Sequence, residues 1–204
     1  ICSDIRGNTD LLENGVSVII SESSPEKLAE NILQIDSNPL KLQKLSARAA
    51  KMIQKFDLST VEPEMLKIYR GGKLIWLMES QKLRKSLGIP LDAFVVLSVG
   101  EVNKNKNHEV VIRAIAKIKN PDIHYLVCGK GNLDGHLRNL SKELGLEDQV
   151  HLLGFRKDIP EICKISDVFA FPSYREGLGM AALEAMACGL PIITSNVHGI
   201  VDYS

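Results

Sequence analysis

The sequence predicts an α/β fold: a doubly wound parallel sheet of the Rossmann-like kind. Two observations carry this. From Phe94 onward, short apolar runs alternate with longer amphipathic stretches, strand then helix, four times before a final strand. Strand, helix, strand repeated in this way gives a parallel sheet covered on both faces. The second observation is the apolar run Val168-Phe169-Ala170-Phe171, closed by Pro172-Ser173 and followed by a glycine-rich helix start. It reads as a buried strand running into a loop, and ligands of such sheets bind at the carboxyl ends of the strands.

Taken in order, Ile1-Cys2-Ser3 is an apolar scrap and Asp4 to Gly7 a loop, with a possible short helix from Asn8 to Asn14 closed by Gly15. Val16 to Ile20 is β-branched and reads as a strand. Ser24-Pro25 starts a helix, Ser as N-cap and Pro at the first helical position, and Leu28, Ile32 and Ile35 form its apolar stripe. Asn38-Pro39 starts another, with Leu42, Leu45, Ala49 and Ile53 at helical spacing. Asp57 to Tyr69 reads as a third, interrupted near Pro63, and Gly71-Gly72 as a linker. Lys73 to Met78 fits either a short strand or an apolar anchor, and Glu79 to Leu87 a helix ending at Gly88. The regular part follows: strands at Phe94 to Val99, Ile123 to Cys128, Val150 to Leu153, Val168 to Phe171 and Pro191 to Thr194. Between them lie helices at Asn107 to Lys119, Asn132 to Leu144, Ile159 to Ile165 and Ala181 to Ala187.

The chain has 204 residues, enough for one large domain or two small ones, with ordinary apolar content. Lys plus Arg equals Asp plus Glu, so net charge favours neither nucleic acid nor an anionic membrane as partner. Cys2, Cys128, Cys163 and Cys188 are scattered without metal-type spacing and read as buried reduced thiols of a cytoplasmic protein. No apolar run has the length of a membrane span, and no signal peptide is evident. Beginning at Ile1 amid what reads as structure, the chain is expected to be a fragment or a rearranged chain.

The richest stretch is Arg175 to Gly189. It sets two carboxylates, Glu176 and Glu184, eight residues apart across a glycine-rich helix start. A helix beginning at Gly177 to Gly179 offers backbone N–H groups and a positive dipole end to a phosphate. Carboxylates beside a phosphate do not bind it; they accept hydrogen bonds from hydroxyls. A sugar and a ribose flanking a diphosphate would satisfy both. The plain alternative is a solvated helix face carrying two ordinary glutamates.

The run Phe-Pro-Ser-x-x-Glu-Gly-x-Gly-x-x-x-x-Glu-Ala-Met-Ala-x-Gly-x-Pro, Phe171 to Pro191, resembles the donor-site signature of retaining glycosyltransferases of the GT-B fold, family four in particular. The resemblance implies that Glu176 contacts the transferred sugar, as the catalytic position. It implies that Glu184 holds the nucleotide ribose, and that Gly177, Leu178, Gly179 and Met180 meet the phosphates. In this family the loop after the first strand carries an Arg just after its glycine and a Lys about five residues on. Lys106 matches the Lys; Glu101 stands where the Arg is expected, and Lys104 is the candidate substitute. From position alone, Asn107 is a plausible N-cap and the two lysines lie over a helix N-terminus. Gly129-Lys130-Gly131 lacks the third glycine of a dinucleotide fingerprint, because position 134 is Asp, so NAD is not indicated. In the family this turn lies under the donor, which brings in Gly131. Gly154 to Ile159 matches the loop that meets the nucleobase, with Phe155 either at the base or simply core. No Asp-x-Asp and no His or Cys cluster appears, so no metal or other cofactor is implied.

The order of the pieces is unusual. Residues 1–70 resemble the family domain's C-terminal portion and 87–204 its N-terminal portion, with 71–86 as the joining segment. Ile1 to Asp10 also aligns without gaps on Ile193 to Asp202. The chain is therefore expected to be one circularly permuted nucleotide-sugar-binding domain, or a junction of two homologous copies. Val16 to Ile20 should then lie parallel to Ile192 to Thr194, in the same chain or in a domain-swapped dimer. The resemblance implies the donor-binding half of a hexosyltransferase with a UDP-sugar as substrate, the acceptor-binding domain missing and this chain inactive alone. The alternatives are a nucleotide-sugar epimerase of the same architecture and a non-catalytic, fold-only module.

Overall fold

The structure, a computed structural model, describes residues 18–21, 24–53, 73–177 and 179–195. Among the described residues, six strands form one parallel sheet: β1 (Val18–Ser21), β2 (Phe94–Val99), β3 (Ile123–Cys128), β4 (Val150–Gly154), β5 (Val168–Phe171) and β6 (Ile192–Ser195). They lie in the order β1-β6-β5-β2-β3-β4. The connecting helices are α1 (Pro25–Asp36), α2 (Pro39–Ile53), α3 (Lys73–Ser86), α4 (His108–Ile118), α5 (Asp134–Glu143), α6 (Ile159–Lys164) and α7 (Met180–Ala187).

Helices cover both faces of the sheet, and the strands show it residue by residue. Phe94 and Val96 of β2, Tyr125 and Val127 of β3 and Ala170 of β5 pack with Ile32 of α1 and with Val111 and Ile115 of α4. Their neighbours Val95, Leu97, Leu126, Phe169 and Phe171 point the other way, onto Ile162 and Cys163 of α6 and Ala185 and Met186 of α7. Side chains alternate faces along a strand, so a strand buried on both sides must be apolar at every position. The continuous apolar runs of the sequence are the consequence.

The expected neighbour of β6 is in place. β1 runs parallel to it in the register Val18↔Ile192, Ile19↔Ile193, Ile20↔Thr194. Val16 and Ser17 fall outside the described residues, as do the linker at 71–72 and the readings made over 1–17 and 54–72. α1 starts as its sequence says: Ser24 Oγ accepts from the Lys27 N–H at 3.2 Å, with Pro25 behind it. At the start of α2, Asn38 Oδ1 accepts from the Lys41 N–H at 3.0 Å. The Ser46 hydroxyl of α2 donates to the Gly189 carbonyl, just beyond α7.

α3 corrects the reading of residues 73–78. Lys73 to Met78 is not a strand but the first part of one helix that runs on to Ser86. A short apolar run carries no period of its own, and no Gly or Pro separates it from the helical stretch after it. Near the end of α3, Arg84 reaches the amino ends of β2 and β5, the opposite end of these strands from the candidate site. Its Nη1 donates to the Ala93 carbonyl at 2.7 Å, and its Nη2 to the Ile165 carbonyl at 2.7 Å.

Candidate functional site

β2 and β5 are neighbours whose crossovers run in opposite directions, β2 leading to β3 and β5 to β6. The crevice between their carboxyl ends is the topological switch point, where open α/β sheets bind ligands. The two loops meet there. The Tyr174 N–H donates to the Asn105 carbonyl at 2.8 Å, and the Asn105 side-chain amide donates to the Arg175 carbonyl at 2.8 Å. One residue further on each loop, Lys106 Nζ lies 2.5 Å from Glu176 Oε1. The two side chains are 20% and 9% exposed, so this pair is largely shielded from water, unlike a surface ion pair. The ammonium also sits 5.0 Å from the centre of the Phe171 ring, within cation–π reach. Two predicted site residues seventy positions apart are thus brought into contact.

α7 begins at Met180, behind Gly179 in the left-handed conformation (φ 57°), and no side chain caps it. The helix start is slightly later than Gly177, and Leu178 lies outside the described residues. An uncapped helix end carries the partial positive charge of its first N–H groups and suits an anion. Met180 is more than half exposed. Glu184, on the same helix, forms no salt bridge among the described residues, and burial raises its carboxyl above the ordinary range. A partly buried carboxylate without a salt-bridge partner gains from a hydroxyl donor.

Lys104 is exposed and lines a cavity of about 330 Å³ with Asn103, Arg113 and Tyr174, to one side of the Lys106–Glu176 pair. Gly129 and Gly131 pack against the backbone of Gly100 and Val102, so this Gly-x-Gly turn exists to let the β2 and β3 loops touch. Phe155 is 68% exposed; of its two readings, core is excluded. Beside it, Arg156 grips Asp158 through Nε at 2.8 Å and Nη2 at 2.5 Å, which fixes the turn after β4. Cys128 and Cys163 are buried, Cys188 is partly buried, and all three are free.

Asn107 departs from its reading. It occupies the cap position of α4 but in the left-handed conformation (φ 51°), with no capping bond from its side chain. The residue that shapes this corner is His108, which sequence reasoning passed over. His108 Nε2 faces the Glu101 carbonyl at 3.3 Å and Nδ1 faces the Tyr125 hydroxyl at 3.0 Å. Tyr125 donates to Ser98 Oγ at 2.9 Å, and Ser98 to the Ala170 carbonyl at 2.6 Å. Four contacts join two carbonyls, so filling all of them takes four protons; neutral His, Tyr and Ser supply three. Burial pushes the His108 pKa down to about 4; the Glu101 carbonyl opposes this, and Lys106 adds to it. The imidazole is therefore neutral at pH 7. Which of the four contacts goes without a proton follows from the tautomer of the ring. The signal in the sequence was a His beside a helix start, which spacing alone does not distinguish from a surface residue.

A family model for glycosyl transferases of group 1 matches residues 79–204. The UDP-Gal:alpha-D-GlcNAc-diphosphoundecaprenol alpha-1,3-galactosyltransferase of Escherichia coli is 39% identical over 120 residues, covering 56% of this chain and 31% of that protein. A D-inositol 3-phosphate glycosyltransferase of Corynebacterium efficiens is 27% identical over 198 residues, covering 88% of this chain and 46% of the relative. Among solved structures, Anabaena Alr3699/HepE in complex with UDP-glucose superimposes with a TM-score of 0.56 at 31% identity, over 60% of this chain and 35% of that one. The chain spans less than half the length of these relatives.

Proposed function

We propose, for a chain that belongs to the group 1 glycosyl transferases, that it forms the donor-binding half of a retaining enzyme of family four, with a UDP-sugar as its substrate. The observation that carries the reading is the Lys106–Glu176 pair, set at the switch point of the sheet beside the uncapped start of α7. The arrangement stores a cation for the diphosphate and a carboxylate for the sugar, each neutralising the other until the donor arrives. On binding, Lys106 turns from Glu176 to a phosphate oxygen, and the α7 N-terminus takes a share of the same charge. Glu176, released, accepts hydrogen bonds from the sugar hydroxyls. Glu184 accepts from the ribose, and exposed Phe155 borders the base. Lys104 gives further positive charge at the rim.

Stabilising the departing diphosphate, which gains charge as the sugar–oxygen bond breaks, is the main catalytic task of such a site. The acceptor is positioned by a second domain, and the whole enzyme is a hexosyltransferase. That the named relatives are transferases argues against an epimerase of the same architecture. Free buried thiols suit a reducing, cytoplasmic setting, and among the described residues no helix is long and apolar enough to cross a membrane.

The pieces of the domain are circularly permuted in this reading. Its support is the parallel pairing of β1 with β6 and the likeness of Ile1 to Asp10 and Ile193 to Asp202.

Titration of UDP, GDP, ADP and UDP-glucose by calorimetry tests the proposal. UDP and UDP-glucose should bind, and Lys106→Ala should weaken both by about tenfold or more, the loss expected for a charged hydrogen bond. A chain that binds none of the four nucleotides would sink the reading.

A further inference from the structure

We propose that Asn105 is a positioning residue for the donor sugar: it holds the loop carrying Glu176 in register with the loop carrying Lys106. The inference rests on the donor-site reading above. β2 and β5 lie in register through Val96↔Val168 and Leu97↔Phe169, and the Ser98 hydroxyl of β2 donates to the Ala170 carbonyl of β5. Past the ends of both strands, the two loops are joined again at Asn105. Its carbonyl accepts the Tyr174 N–H, and its side-chain amide donates to the Arg175 carbonyl, both at 2.8 Å. The next residue on each side forms the Lys106–Glu176 pair. Residue 105 thus meets 174 and 175, and residue 106 meets 176.

In a regular ladder the N–H that meets a neighbouring carbonyl comes from the backbone. Here it comes from the side chain of Asn105. Among residues of this shape only Asn can do this. Asp is isosteric but, when ionised, presents only acceptors, and would face the Arg175 carbonyl with a negative charge. The position of the Glu176 carboxylate depends on the backbone just before it, and Gly177 and Gly179 follow at once. Removing the Asn105 amide would let Glu176 drift while leaving the bulk of the phosphate site in place.

Calorimetry with UDP and with UDP-glucose, on the chain and on Asn105→Ala and Asn105→Asp, tests this. It is paired with amide hydrogen exchange of the ligand-free proteins. Both variants should lose about tenfold in UDP-glucose affinity and stay within about twofold for UDP, the scale of one hydrogen bond felt through Glu176. Asp should be at least as damaging as Ala, because shape without a donor does not rescue the contact. Exchange should speed up at Tyr174 to Glu176 and stay unchanged in β2. Wild-type ratios of UDP-glucose to UDP affinity in either variant would overturn the proposal, as would unchanged exchange at Tyr174 to Glu176. If the wild-type chain bound neither nucleotide, the donor-site reading and the sugar role would fall together. The exchange data would still decide separately whether Asn105 holds the loop.

Discussion

Gly131 packs directly on the backbone of Val102: a Cβ at residue 131 would lie 2.1 Å from the Val102 carbonyl oxygen. Around it, the Val102 N–H donates to the Lys130 carbonyl at 3.1 Å, and the Leu133 N–H donates to the Val102 carbonyl at 3.1 Å. No rotamer change relieves a clash with main chain, so the loops must part. Gly131→Ala should destabilise the fold by about 2 kcal/mol or more, the scale of overpacking a tight site. Because the β2 loop carries Lys106, UDP binding should weaken as well. Urea unfolding and calorimetry measure the two effects. An alanine variant as stable as the parent would contradict the contact.

Glu176→Gln should raise affinity for UDP by about threefold while abolishing any advantage of UDP-glucose over UDP. The carboxylate competes with the diphosphate for Lys106, and removing that charge frees the ammonium. Glu184→Ala should weaken both ligands alike, since the ribose is common to them. The discriminating measurement is the ratio of the two dissociation constants. A Glu176→Gln variant with weaker UDP binding and an unchanged ratio would show that the pair is structural only.

Acid should weaken the fold through His108. Its pKa is about 4 in the folded chain against 6.5 for the free side chain, so the unfolded state takes up the proton first. Stability from this group is complete above pH 6.5, falls between pH 6.5 and about 4, and levels off below, for a total of about 3 kcal/mol. The groups that face it are the Glu101 carbonyl, Lys106, Asp134 and the Tyr125 hydroxyl. Urea unfolding across pH 4 to 7 should show this slope in the parent and lose it in His108→Gln. Equal slopes in both proteins would assign the acid sensitivity elsewhere.

Arg84→Ala should cost about 3 kcal/mol, within the range for breaking a partly buried charged network. It would orphan the Ala93 and Ile165 carbonyls. It would also leave Asp167, whose Oδ2 lies 3.4 Å from Arg84 Nη2 and accepts the Val95 N–H at 2.8 Å, without its counter-charge. Burial already raises the Asp167 pKa despite Arg84. Arg84→Lys should recover little, because one ammonium cannot span carbonyls on two segments. Thermal unfolding of the two variants checks this, and full recovery by Lys would argue against a forked contact.

The sequence by itself determined the parallel sheet, since strands apolar at every position have to be covered on both faces. β2, β3 and β5 begin and end where their apolar runs do. It also determined the starts of α1 and α2, where Ser24, Pro25, Asn38 and Pro39 act within a single turn of chain. The Glu-x7-Glu run singled out Glu176 and Glu184, and loop position singled out Lys106. These are local or periodic signals, complete within a few residues. The tertiary structure decided what depends on distant partners. Asn105 reads as one polar residue in a polar loop until Tyr174 and Arg175 are brought beside it. Nothing in the sequence singles out Arg84 until the sheet presents it with carbonyls. Gly131 reads as part of a weak nucleotide motif until Val102 closes on it. Nothing in the sequence singles out His108 until Tyr125, seventeen residues on, faces its ring. A hydrogen bond or a steric contact across the fold leaves no period in the sequence, so only the packed chain reveals which residue needs which.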